Sequence, residues 1–173
     1  MSYDFNADEI FAIAEKIEEN GAEFYRRAAE AISCEDTKKL LMGLANMEDD
    51  HLKLFHTMRK QLPEKDKQST VFDPEGDAAR YLQSFADIRV FDKRHDDPSE
   101  LVDPDSCSDK DIIDVLKFAT DREKDSIVFY LGMKDLVPDE KGKKDIDAII
   151  REEMSHIRTL NRQLQDVRRR SGL

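Results

Sequence analysis

The sequence predicts an all-α protein: a four-helix bundle of two antiparallel helix hairpins, joined by one long crossover connection. Three observations predict it. Four stretches carry apolar residues at helical spacing. Gly (6) and Pro (5) are scarce among 173 residues, and Trp is absent. No stretch alternates in a way that competes as a strand.

The first helix is expected over about Ala7 to Ile32, with Asn6 and Glu9 reading as a capping box. The second runs from about Asp36 to Leu62, with Ser33 and Asp36 near its start and Pro63 as its stop. The third runs from about Asp109 to Leu136, entered from Ser108 and stopped by Pro138. The fourth runs from about Asp139 to Arg170, and Arg168, Arg169 and Arg170 suit the negative end of its dipole. Each helix is roughly 25 residues and so about 38 Å long. Short links make the first and second helices, and the third and fourth, antiparallel neighbours.

Residues 63–108 form the crossover, rich in Asp, Pro, Lys and Ser and too long for a plain turn. Ala79, Leu82, Phe85 and Ala86 predict a short helix over about 75–90. The remainder, through Pro98 and Pro104, reads as surface loop. Residues 1–173 are expected to make a single domain.

Charge excludes several functions. Lys and Arg total 28 against 39 Asp and Glu, a formal charge of −11, so nucleic acid and anionic membrane surfaces are not expected partners. The hydrophobic fraction equals the charged fraction, 39% each, which supplies a core and argues against a disordered acidic tail. No uncharged apolar stretch exceeds the length of Ser126–Met133, which is far short of a membrane span. The N-terminal Met-Ser-Tyr-Asp has no basic or apolar leader, so no signal peptide is expected. Cys34 and Cys107 form no CxxC, which excludes a zinc ribbon or a rubredoxin-type iron site. The expected compartment is the cytoplasm.

The helix seams hold unexpected residues. The first reads Phe11, Ala14, Glu18, Gly21, Tyr25, Ala28, Ile32. The second reads Leu41, Leu44, Glu48, His51, Phe55, Met58, Leu62. The third reads Ile112, Leu116, Ala119, Glu123, Ser126, Tyr130, Met133. The fourth reads Ile146, Ile149, Glu153, His156, Leu160, then Gln163 or Leu164. Each seam is apolar or small except at its middle, where each carries one Glu. In two of them a His follows three residues later.

Burying an unpaired carboxylate costs several kcal/mol, and four in one layer repel one another. Something cationic is therefore expected at the centre. The two halves agree on this. Glu18 to Glu48 and Glu123 to Glu153 are both 30 residues, Tyr25 and Tyr130 each follow the first Glu by seven, and the halves are offset by 105 throughout. That is a duplicated helical hairpin.

Residues three apart on a helix share a face. Glu48/His51 and Glu153/His156, with Glu18 and Glu123, therefore give six ligands for a two-metal carboxylate site. Carboxylate with imidazole suits iron or manganese. Glu152 competes with Glu153, and Glu19 with Glu18, but the repeat selects Glu153 and Glu18. Tyr25 and Tyr130 are expected either to hydrogen-bond the ligand carboxylates or simply to pack. Gly21 and Ser126 either leave room for a bridging ligand or allow close helix packing. Glu15, Glu23 and Glu30 read as a solvated face, His56 and His95 as surface residues, and Met47 and Met154 as space-fillers. The lone cysteines read as inert.

With these residues in hand, the sequence resembles the rubrerythrin branch of the ferritin-like di-iron carboxylate superfamily. The carrying segments are Ile17–Tyr25, Leu44–His51, Asp121–Tyr130 and Arg151–His156. The resemblance covers the four helices but not the crossover. It implies two Fe ions, with Mn or Zn as substitutes, Glu48 and Glu153 bridging, Glu18 and Glu123 terminal, and His51 and His156 each on one iron. Full-length rubrerythrins carry a rubredoxin-like domain with two CxxC pairs. This chain has none, which implies an external electron donor such as a rubredoxin-like protein. Rubrerythrins also carry an extra Glu, associated with peroxide chemistry, one turn beyond the third-helix ligand; here that residue is Ser126. The haem-binding Met of bacterioferritins is replaced by Asp49, so no haem is expected.

The expected function is redox chemistry with H2O2 or O2, protecting against oxidative stress, in a homodimer. A ferroxidase or iron-handling protein and a metal-free helical interaction module are the alternatives.

Overall fold

In a computed structural model of the chain, residues 7–64, 98–102, 108–137 and 140–172 are described. They form four long helices: α1 (Ala7–Ala31), α2 (Glu35–Lys60), α3 (Asp109–Leu136) and α4 (Glu140–Ser171). A 3-10 turn spans Pro98–Leu101. No strand occurs among the described residues. The helix expected over 75–90, Asn6, His95 and Cys107 lie outside them.

The helix ends follow local chemistry. At α3, the Ser108 hydroxyl accepts from the Asp111 backbone N–H (3.3 Å), and the Asp111 carboxylate accepts from the Ser108 N–H (2.7 Å). This reciprocal cap satisfies two donors that a helix start otherwise leaves free. Val137, held extended before Pro138, ends the same helix. The start of α2 differs from expectation. Its N-cap is Cys34, which makes no side-chain cap bond, and Glu35 and Asp36 in the first turn meet the dipole instead.

Ion pairs pin the hairpins end to end. Arg59 near the end of α2 grips Asp8 at the start of α1 through two 2.8 Å bonds and reaches Glu15 at 2.6 Å. Lys134 near the end of α3 meets Asp147 near the start of α4 at 2.7 Å. At the opposite end of the second hairpin, Arg170 meets Asp109 at 2.6 Å. Glu15, expected on a solvated face, is thus a half-buried partner of Arg59 and His56.

The four seams are buried at every position from Phe11 to Ile32, Leu41 to Leu62, Ile112 to Met133 and Ile146 to Leu164. At the last step Leu164 takes the core, while Gln163 donates to the buried Thr37 hydroxyl at 3.1 Å. Aromatic side chains fill the space between the hairpins: Phe55 lies 5.2 Å from Tyr130, and Phe24 lies 5.3 Å from Phe118. Each fully buried Leu, Ile or Phe contributes roughly 1.5–3 kcal/mol. Met47 and Met154 do not fill space in this core. Both face solvent, because they sit one residue away from seam positions and so point off the buried stripe. The apolar material lies toward the two ends of the bundle, leaving a polar layer at mid-height.

Candidate metal centre

That layer consists of Glu18 on α1, Glu48 and His51 on α2, Glu123 on α3, and Glu153 and His156 on α4, each at most 4% exposed. The structure brings all six together. Glu18, Glu48, His51 and Glu153 offer ligand atoms within 4.8 Å of one another, and so do Glu48, Glu123, Glu153 and His156. Two overlapping cups result, with Glu48 and Glu153 belonging to both.

The imidazoles face inward through the same atom. His51 Nδ1 lies 3.1 Å from Glu153, 3.4 Å from Glu18 and 3.4 Å from Glu48. His156 Nδ1 lies 2.9 Å from Glu153, 3.4 Å from Glu123 and 3.5 Å from Glu48. The two rings stand 5.7 Å apart, nearly parallel at 18°.

These short approaches lack hydrogen-bond geometry. Both Glu153 oxygens and both imidazole Nδ1 atoms are buried without a hydrogen-bond partner among the described residues. Buried polar atoms are normally paired. Lone pairs converging on one point without a proton aimed between them are what a cation requires. The donor set of four carboxylates and two imidazoles therefore fits a pair of divalent metals, whose +4 would cancel the carboxylate charge.

Without metal, protons must do that balancing. Burial, then the neighbouring carboxylates, holds Glu18 and Glu123 well above the usual carboxyl range. Burial alone would push the imidazoles down, but the surrounding carboxylates outweigh it. His51 is raised, and His156 is pushed up to about 12. Glu48 and Glu153 are burdened by burial yet end below the usual range, because both imidazoles sit against them. The upward shifts run toward balancing the layer: Glu18 and Glu123 toward the neutral acid, the two imidazoles toward the cation.

Two tyrosines close the layer. Tyr25 on α1 donates to Glu123 on α3, and Tyr130 on α3 donates to Glu18 on α1. Each hairpin thus supplies the hydroxyl that holds the other hairpin's carboxylate. Burial, then the adjacent carboxylates, keeps both phenols protonated as donors. Gly21 and Ser126 are buried one turn away.

One contact is not apparent from the sequence. Glu152 lies outside the layer, its side chain 55% exposed, with Oε2 3.0 Å from His51 Nε2. Within its own helix it could reach His156, but it points across to α2 instead. The signal available in the sequence is the Glu152-Glu153 doublet, which the repeat matches with Met47-Glu48. His56 is exposed and pairs with Glu15 at 2.9 Å, away from the layer. Cys34 is also distant from it. Its thiol is lowered, first by the Thr37 hydroxyl and backbone and then, against a small burial effect, by Arg170.

Among the described residues no helix is long and apolar enough to cross a membrane. A family model described as Rubrerythrin matches residues 9–164. A Thermotoga maritima structure described as a ferritin-like diiron-carboxylate protein superposes with a TM-score of 0.70 at 25% identity, covering 95% of this chain and 98% of that one. A hypothetical protein from Pyrococcus furiosus has the same fold, with a TM-score of 0.65 at 24% identity over 94% of this chain and 90% of its own. No curated protein matches the sequence.

Proposed function

The chain belongs to the rubrerythrin family, and from that premise we propose that it is a di-iron carboxylate protein that reduces H2O2 or O2. The observation that carries this reading is the pair of overlapping cups sharing Glu48 and Glu153. In it, Glu48 and Glu153, common to both cups, would serve both irons, Glu18 and His51 would hold one, and Glu123 and His156 would hold the other. Two bound ferrous ions would supply one electron each, matching the two electrons and two protons that convert H2O2 to two waters.

The chain's own residues perform the rest. The six ligand side chains come from four helices, so the rigid bundle sets their separation. Tyr25 and Tyr130 hold the terminal carboxylates Glu123 and Glu18 in orientation. The apolar residues toward both ends exclude bulk water. In this reading the electrons come from a separate donor, such as a rubredoxin-like protein. The reading places the protein in the cytoplasm as a homodimer, and the net charge of −11 disfavours nucleic acid and anionic membranes as partners.

A second reading, ferroxidase or iron handling, is favoured by Ser126, which offers no extra carboxylate one turn beyond Glu123. Anaerobic Fe(II) titration followed by rapid mixing with H2O2 or O2 tests both. Two irons per chain and fast oxidation by H2O2 are expected. Failure to bind two irons would sink the di-iron assignment, whereas repeated Fe(II) turnover with O2 would favour the second reading.

A further inference from the structure

The two cups share their bridging residues but differ behind the imidazoles. His51 has Nδ1 toward the carboxylates and Nε2 against Glu152. An imidazole carries one proton when it binds a metal, and a carboxylate at 3.0 Å fixes that proton on Nε2. The Nδ1 lone pair is then aimed into the cup, and the ring is held in place. His156 presents the same Nδ1 inward, but its Nε2 is buried with no hydrogen-bond partner among the described residues. The 105-residue repeat explains the difference. The counterpart of Glu152 is Met47, whose thioether is a poor acceptor and whose side chain faces solvent.

From this we infer that the two metal positions are inequivalent: Glu152 is a positioning residue for His51, and the cup containing His51 takes the first metal. This rests on the two-metal reading above. A carboxylate behind a ligating histidine orders the ring before the metal arrives and makes its ligating nitrogen more basic. The cup built on Glu18 and His51 has that support. The cup built on Glu123 and His156 must order its ring on binding, so it fills second and exchanges faster.

Anaerobic Co(II) titration of the full-length metal-free chain, read by calorimetry and by visible absorption, tests the inference. Two steps of unequal affinity are expected. His51→Ala should remove the tighter step and His156→Ala the weaker one. Glu152→Met makes the two halves alike, and it should weaken the first step by about 10- to 100-fold while leaving the second in place. Glu152→Gln keeps an acceptor oxygen and should restore most of the first step. Because Glu152 is exposed, circular dichroism should show the same helix content in both variants. Two equal steps in the parent, or a first step unchanged in Glu152→Met, would overturn the inference and leave the two-metal reading standing. A parent that binds fewer than two Co(II) per chain would overturn both.

Discussion

The two hairpins are twins inside and strangers outside. Shifted by 105 residues, Glu18 meets Glu123, Tyr25 meets Tyr130, Glu48 meets Glu153 and His51 meets His156, and all eight side chains are buried. On the outer face the same shift sets Glu23 against Val128, Arg26 against Leu131 and Asp49 against Met154. In the first hairpin Arg26 and Asp49 form an ion pair across α1 and α2. In the second their counterparts are among the exposed apolar residues, Leu131 at 50% and Met154 at 48%. The difference teaches where the fold is constrained. Four buried carboxylates must all be balanced, so none can drift alone. A solvated ion pair contributes under about 1 kcal/mol, so it can be replaced.

Breaking the internal twinning should have the largest effect. Glu48→Ala or Glu153→Ala removes a ligand from both cups and should abolish binding of both metals. Glu18→Ala or Glu123→Ala removes a ligand from one cup only and should leave about one metal per chain. Metal analysis after anaerobic loading and desalting separates the two outcomes. Equal loss from all four variants would mean that the cups are not distinct.

Protons sharpen the comparison between loaded and metal-free layers. Glu18 and Glu123 have raised values, so in the metal-free chain their contribution is full below the ordinary 4.5 and declines as pH rises from there toward the raised values. The imidazoles are raised too. Their contribution is full below the ordinary value of 6.5 and declines as pH climbs toward the value of about 12 for His156. Glu48 and Glu153 are lowered, so theirs is present above the ordinary 4.5 and lost on acidification. The metal-free chain should thus be most stable near the ordinary carboxyl value of 4.5 and lose stability as pH rises from there toward about 9. Loading two divalent ions should release the protons that these raised groups hold, so metal stabilisation should grow as pH rises. Thermal unfolding with and without Mn(II) across this range, and a pH-indicator titration, check the two signs. A gap in Tm that narrows with rising pH would contradict the charge balance.

The tyrosines allow a finer cut, because their bonds cross between hairpins. Tyr25→Phe should weaken the cup holding Glu123 and His156, although Tyr25 lies in the first hairpin. Tyr130→Phe should weaken the cup holding Glu18 and His51. Each loss should be about tenfold in metal affinity. Co(II) titration of the two variants reads which step moves. Effects confined to each tyrosine's own hairpin would contradict the crossing.

How much of this was legible beforehand depended on the length of the signal. The helices run for many turns, so their apolar periodicity averaged over local noise, and the observed ends fall within two residues of those expected. The ligand layer was legible because a carboxylate on an apolar stripe contradicts its surroundings, and here it did so in all four seams. Glu152 was not legible as a partner of His51. It sits off the stripe where Glu is ordinary, and its direction depends on how α4 lies against α2. The crossing of Tyr25 and Tyr130 was hidden for the same reason. Seven residues after a Glu places a hydroxyl two turns along the helix, but not on which neighbour it lands.

The smallest effect is expected on the outer face. Leu131→Arg with Met154→Asp would rebuild in the second hairpin the pair that Arg26 and Asp49 make in the first. Leu131 and Met154 already lie in contact with solvent, so little buried apolar area is lost. The new pair gains little, because water screens both charges. The double variant should therefore unfold in urea within about 1 kcal/mol of the parent. Size-exclusion mass measured alongside makes the result specific. A loss of more than about 2 kcal/mol, or a fall in mass, would mean that something covers this face in the native protein. The outer difference between the hairpins would then be functional divergence rather than tolerated drift.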